Sequence, residues 1–118
     1  MGIFRVRIEV GDPQGSRLEA VDALVDTGAS HTAAPASLLR RLGIAPYQKG
    51  SFQLADGRLV ELDIGQTWVR VNGEQAISQV VFADEGTQPL LGAVTLEQLG
   101  LGIDPVRKRL IPVPRLLM

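Results

Sequence analysis

A chain of 118 residues, 45% of them hydrophobic and with 12 Lys and Arg against 13 Asp and Glu, describes one compact domain spanning 1–118 that can bury roughly 60 to 70% of its unfolded surface. The absence of cysteine removes disulfides, thiolate zinc sites and Cys nucleophiles, and a single histidine excludes a His-rich metal centre. A formal charge of −1 supplies no footprint for a phosphate backbone, no apolar run reaches the roughly 18 residues that cross a bilayer, and no leader pattern opens the chain, so nucleic acid and membrane are not expected partners and a cytoplasmic location is expected.

From Ile3 to Val10 the pattern alternates, with Phe4, Val6, Ile8 and Val10 on one face and Arg5, Arg7 and Glu9 on the other, the period of a half-buried strand. Gly11-Asp12-Pro13-Gln14-Gly15 turns the chain back into a second strand from about Arg17 to Val25, wholly apolar at Ala23-Leu24-Val25 as a buried strand is. Beyond Ser30, the stretch from Pro35 to Leu42 has helical spacing, with proline in its first turn and Gly43 as a left-handed cap. Strands are expected over Ser51–Leu54, Arg58–Ile64, Thr67–Val71 and Ala76–Phe82, with Ala55-Asp56-Gly57 and Asn72-Gly73 as hairpin turns. A second short helix fits Ala93 to Leu99, ended by Gly100. The stretch from Ile103 to Val113 reads as a last hairpin or extended tail, which the prolines at 105, 112 and 114 confine to edge positions. The fold class is mainly β with one or two short helices. Phe4, Phe52, Trp68 and Phe82 are assigned to the core or a subunit face, Tyr47 is unassigned, and Arg107-Lys108-Arg109 with Arg115 reads as a solvated cluster.

The chemistry concentrates in Leu24-Val25-Asp26-Thr27-Gly28-Ala29-Ser30. A carboxylate where a buried strand breaks into a loop is costly unless it is paired or hydrogen-bonded. The Thr27 hydroxyl and the main-chain N–H groups around Gly28 can hold Asp26, and Gly28 lets the backbone come close. An Asp-Thr-Gly turn between strand and helix is also an ordinary piece of structure, so the tripeptide alone decides little.

Its context decides more. Two apolar residues before Asp-Thr-Gly-Ala, a turn at Ala55-Asp56-Gly57, and Leu90-Leu91-Gly92 just before a short helix together resemble the retropepsin-like aspartic proteases, in the same order and over nearly the whole chain. The resemblance implies a closed-barrel-like acid protease fold with one catalytic half per subunit. It implies Asp26 as the catalytic carboxylate, Thr27 bonding across the dimer axis, and Gly28 binding substrate backbone. Ala29, Ser30, His31, Leu90 and Leu91 are expected to border substrate, and Ala55, Asp56 and Gly57 to form the tip of a flap. Many retroviral members carry an acidic residue where Ser30 stands. His31 is expected as a rim or specificity residue, not a base. Peptide hydrolysis by this route needs two carboxylates sharing a proton, and the chain has one Asp-Thr-Gly, so a homodimer pairing Asp26 of each copy is expected, acting on a peptide or protein substrate. Leu110-Ile111 or Leu116-Leu117-Met118 are candidate dimer contacts. Water is the nucleophile, so no cofactor or metal is implied. The alternative is a catalytically silent domain that binds extended peptides or dimerises.

Overall fold

In the computed structural model, which describes residues 2–115 and 117, the alternating N-terminal segment forms β1 (Gly2–Gly11). Its apolar residues turn inward: Ile8 and Val10 are fully buried while Arg5 and Arg7 are exposed. β2 (Leu18–Asp26) returns antiparallel to β1. The turn between them is latched by Asp12. Its Oδ1 accepts N–H bonds from Ser16 at 2.7 Å and Arg17 at 3.0 Å, and its Oδ2 accepts the Ser16 hydroxyl at 2.8 Å. These bonds, led by the Arg17 N–H and the Ser16 hydroxyl, hold the Asp12 carboxyl below the usual carboxylate range.

The chain then forms β3 (Thr32–Pro35), α1 (Ala36–Arg41), β4 (Gln48–Gln53), β5 (Leu59–Val71), β6 (Glu74–Ala83), β7 (Leu90–Leu91), α2 (Ala93–Leu99), β8 (Leu101–Asp104) and β9 (Arg109–Pro112). The first seven strands make one sheet in the order β1-β2-β7-β3-β6-β5-β4, and a further β1–β5 pairing closes six of them into a ring. β4 and the first half of β5 project from that ring as a hairpin. The mainly β expectation holds. Gly43 and Gly100 end the helices with φ of 81° and 69°, and Asn72-Gly73 turns β5 into β6 with φ of 53° and 81°.

Two expectations are corrected. The strands expected over Arg58–Ile64 and Thr67–Val71 are one strand, β5. Gly65 does not break it: the residue is a buried strand position where a Cβ would meet Phe82 Cε1 at 2.9 Å and Ile44 Cγ2 at 3.0 Å, so the glycine serves close packing. The short strands β3 and β7 were not foreseen, because each is held by distant partners. Leu116 and Met118, expected as dimer contacts, lie outside the described residues. Among the described residues no helix is long and apolar enough to cross a membrane.

The main core fills the ring, with Val10, Val25, Leu39, Val69, Leu91 and Leu99 each at most 1% exposed. A smaller apolar cluster of Ala33, Val81 and Ala83, packed by Phe52, Leu62 and Leu90, joins the ring to the projecting hairpin. Between them β7 threads parallel to β2, with Leu24 opposite Leu90 and Val25 opposite Leu91, and antiparallel to β3. The next residue, Gly92, lies so close to His31 that a Cβ would sit 2.4 Å from its carbonyl carbon. The Gly92 N–H donates to Thr32 Oγ1 at 3.0 Å, and Thr32 donates to Thr95 Oγ1 at 2.6 Å. Thr95 is 2.8 Å from Ser78 Oγ, whose own proton goes to the Gln79 carbonyl at 3.2 Å. Each buried hydroxyl therefore accepts once and donates once, and the crossing carries a directed chain of hydrogen bonds.

Three outcomes follow from these contacts. Gly92→Ala forces main chain apart and is expected to cost about 3 kcal/mol or more in denaturant unfolding. Thr95→Val keeps the shape but strands the Thr32 hydroxyl, and is expected to cost about 1–3 kcal/mol. Because the Asp12 carboxyl is held low in the folded chain, its stabilisation is present above the ordinary carboxylate value and fades as pH falls through the folded-state value. The stability gap between wild type and Asp12→Asn should therefore narrow on acidification, as read from urea midpoints at a series of pH values, and a constant gap refutes the latch.

Candidate active site

Asp26 is the last residue of β2, and the pairing of Leu24 and Val25 with β7 fixes where its carboxyl emerges. The chain then turns sharply, with the Gly28 N–H donating to Asp26 Oδ1 at 2.9 Å and the Ala29 N–H to the Asp26 carbonyl at 3.1 Å. Asp26 is half-buried, while Thr27 and Gly28 are exposed. The carbonyls of Ala29 and Ser30 accept the Ala93 and Val94 N–H groups at 2.9 and 3.1 Å. The start of α2, which has no side-chain cap, is thus capped by the loop that carries the carboxylate.

Opposite this loop stands the β4–β5 hairpin. A cleft of about 560 Å³ is lined by Asp26, Gly28, Ala29 and Leu90 on the ring side and by Gln53, Leu54, Ala55 and Gly57 on the hairpin side. An adjoining cleft of about 310 Å³ shares Gly28, Ala29 and Leu90 and extends to Ser30, His31, Phe52 and Val81. At the hairpin tip, Gly57 takes a φ of 89°. Asp56 accepts the Arg58 N–H at 3.0 Å and pairs with Arg58 Nε at 2.8 Å. The Arg58 N–H first, and the Arg58 side chain second, hold the Asp56 carboxyl below its ordinary value.

His31 is tied at both ring nitrogens. Nε2 lies 2.9 Å from Gln79 Oε1 and Nδ1 2.7 Å from Ser30 Oγ. Gln79 Oε1 only accepts, so Nε2 donates to it, and Nδ1 shares its hydrogen bond with the Ser30 hydroxyl. The Gln79 amide in turn donates to the Tyr47 hydroxyl, and the His31 ring meets Phe52 edge to face at 5.3 Å. The ring is a braced wall of the smaller cleft.

Of the residues singled out from the sequence, Asp26, Gly28, Ala29, Ser30, His31, Ala55, Gly57 and Leu90 lie along these two clefts. Three do not. Leu91 is fully buried in the core, Asp56 is occupied by its own turn, and Thr27 lines a separate groove with Leu96, Leu101, Ile103 and Val113. Sequence reasoning missed Phe52 as a cleft residue and Gln79 and Tyr47 as braces of His31. The alternation of β6 puts Gln79 on the face opposite buried Ser78 and Val80, but nothing local points to His31, 48 residues away. Among the described residues lining the two clefts Asp26 is the only acid, and no cluster of three or more His, Asp or Glu among the described residues could hold a metal. Asp26 thus brings a half-buried carboxylate to the lining of the larger cleft.

A family model described as aspartyl protease matches residues 6–95, from β1 into α2. No curated protein sequence matches the chain significantly. Solved structures do match in fold. The retroviral protease-like domain of Ddi1 from Leishmania major shares 20% identity over 95% of this chain and 89% of its own, with a TM-score of 0.59. The Simian Foamy Virus (mac) protease shares 19% over 79% and 91%, with a TM-score of 0.55. A retropepsin-like aspartic protease from Rickettsia conorii shares 21% over 86% and 83%, with a TM-score of 0.50. With its family motif at the end of β2, its threaded β7 and a family match over 6–95, the chain belongs to the aspartyl protease family and has a retropepsin-like fold.

Proposed function

We propose that the chain is a homodimeric aspartic endopeptidase in which Asp26 of two copies meets at the two-fold axis. The observation that carries this reading is the position of Asp26 at the floor of a cleft roofed by the β4–β5 hairpin. Two carboxylates brought that close cannot both ionise readily, so the pair holds one shared proton. The ionised member takes a proton from water as the oxygen attacks the peptide carbonyl carbon, and the protonated member gives its proton to the carbonyl oxygen. Proton transfer to the amide nitrogen then lets the C–N bond break, releasing acid and amine and restoring the shared proton.

The remaining residues take supporting roles in this scheme. Thr27, exposed in one protomer, reaches across the axis to buttress the pair. Gly28 and Ala29 present main chain to an extended peptide, which suits a groove of this shape. The hairpin serves as a flap, with Ala55 and Gly57 over the peptide, and excludes water as it closes. Leu90 is the floor, and the wall of His31 and Phe52 with Ser30 shapes a side-chain subsite.

Cleavage of a diverse peptide library between about pH 3 and 7 tests this. Wild type should cut, with a rate rising faster than linearly with protein concentration near the dimer dissociation constant. Asp26→Asn should fold and lose activity by at least about 10² to 10⁴, and retained cleavage by the pure variant sinks the mechanism. The shared proton further requires that kcat/KM fall on both the acid and alkaline sides of an optimum, because a pair with both carboxyls protonated or both ionised is unproductive. A folded dimer that binds peptides and cuts none at any pH supports the non-hydrolytic alternative.

A further inference from the structure

His31 is the single histidine of the chain, and its two hydrogen bonds differ in kind. At Nε2 the partner is Gln79 Oε1, 2.9 Å away, an oxygen that accepts and cannot donate. The Gln79 amide is held in that orientation by its NH2 group, which donates to the Tyr47 hydroxyl. Nε2 therefore keeps its proton whether the ring is neutral or charged. The proton that comes and goes is the one on Nδ1, and Nδ1 faces the Ser30 hydroxyl at 2.7 Å. A hydroxyl can run such a bond in either direction. Beside a neutral ring, Ser30 donates to Nδ1 and shows the cleft only lone pairs. Beside a charged ring, Nδ1 donates to Ser30, and the hydroxyl hydrogen is free for another acceptor.

The reversal needs no heavy atom to move. The Ser30 carbonyl is held by the Val94 N–H at 3.1 Å, the His31 ring lies edge to face on Phe52, and Ser30 is exposed where it borders the smaller cleft. Among the described residues lining that cleft no other side chain titrates, and β4, β5, β6 and β7 all meet it with uncharged groups. On β5 the residue opposite Gln79 is Gln66, Glu97 of α2 lines the groove of Thr27 instead, and Asp26 lines the adjoining cleft. We propose that Ser30 and His31 form a proton-controlled subsite for an acidic side chain of the bound peptide. When charged, the pair offers a carboxylate an imidazolium and a hydroxyl donor together; when neutral, it offers neither. The inference deepens the endopeptidase reading above and rests on it. Histidines change charge near neutral pH and carboxylates at more acid pH, so an acidic side chain is selected only in the window where the ring is charged and the carboxylate still ionised.

Two measurements test this, one of them independent of turnover. In the full chain labelled with 15N-histidine, one side chain gives the whole signal. Nε2 should stay protonated at every pH while Nδ1 takes up the proton on acidification, and a neutral ring protonated at Nδ1 overturns the switch. Kinetics then use a peptide that the wild type cuts, made with Glu or its uncharged isostere Gln at each position in turn. At one position the ratio of kcat/KM for Glu over Gln should rise at least about tenfold between about pH 7.5 and about pH 5, as a hydrogen bond to a charged group is worth. The titration of the Asp26 pair is common to both peptides and cancels from the ratio. In His31→Gln the ratio should show no such rise. In Ser30→Ala, which keeps the ring and decides if the first variant fails to fold, the rise should shrink at least about threefold. Cleavage without the rise at any position, or with the full rise kept in either variant, overturns the subsite and leaves the protease reading intact. If no peptide is cut, the same Glu and Gln peptides are added to the labelled chain. A Glu peptide that moves the Nδ1 titration to higher pH while its Gln twin does not establishes the subsite and refutes the endopeptidase reading, and no such movement refutes both.

Discussion

The approach of Gly92 to the main chain of His31 is the constraint on which the rest depends. At 2.4 Å there is no room for a Cβ, and only a bare backbone lets the chain leave β7 and enter α2 at that point. Two needs are met by the same crossing. α2 begins without a side-chain cap, and its first N–H groups are satisfied by the carbonyls of Ala29 and Ser30. The loop after Asp26 is held in place by those same bonds, so helix and loop each supply what the other lacks. The buried chain from Gly92 through Thr32, Thr95 and Ser78 fixes the spacing from below. A carboxylate at the end of β2 thus stands on a platform whose polar groups are all paired, and no described buried side-chain polar atom lacks a partner.

The two apolar clusters divide the labour. The larger one, inside the ring, is closely packed and sets the frame. The smaller one, between hairpin and ring, is built on alanines and a valine, with Phe52 and Leu62 laid over them. Small side chains on the ring side leave volume between the layers, and that volume is the cleft. His31, braced at both nitrogens and set edge to face against Phe52, supplies a braced polar wall there. Its partners span β4, β6 and the loop after Asp26, so the wall moves only if three parts of the structure move.

Much of this was legible in the sequence, for physical reasons that differ by element. β1 announced itself because one face is buried and the other wet, and α2 because Gly100 marks its end. Asp26 stood out because a carboxylate beside Ala23-Leu24-Val25 needs a reason. β3 and β7 were hidden, since four and two residues carry no period and their pairing partners are distant. The hydroxyl chain was hidden too: Thr32 and Thr95 are 63 positions apart, and a threonine in an apolar stretch does not declare its partner. Leu91 looks like Leu90 in the sequence, but successive strand residues face opposite ways, which sends one to the cleft and the other to the core. Gly65 reads as a gap between strands because a glycine for close packing and a glycine for turning look alike in one sequence.

That last residue bears on how the roof of the cleft can move. β5 runs unbroken from Leu59 at the hairpin to Val71, and along the way it passes from pairing with β4 to pairing with β1 and β6. Mechanically it is a cantilever. Its projecting arm, residues 59–64, is about 17 Å long at ~3.3 Å per residue; Leu62 packs it against the ring, and its root sits at Ile64 and Gly65, where the β4 ladder ends and a Cβ on Gly65 would meet Phe82 and Ile44. In the proposed flap, lifting the tip turns the two-stranded arm about that root and parts Phe52 and Leu62 from the ring. In that reading the aperture over Asp26 is set some 17 Å away, where the packing leaves room for nothing larger than a glycine.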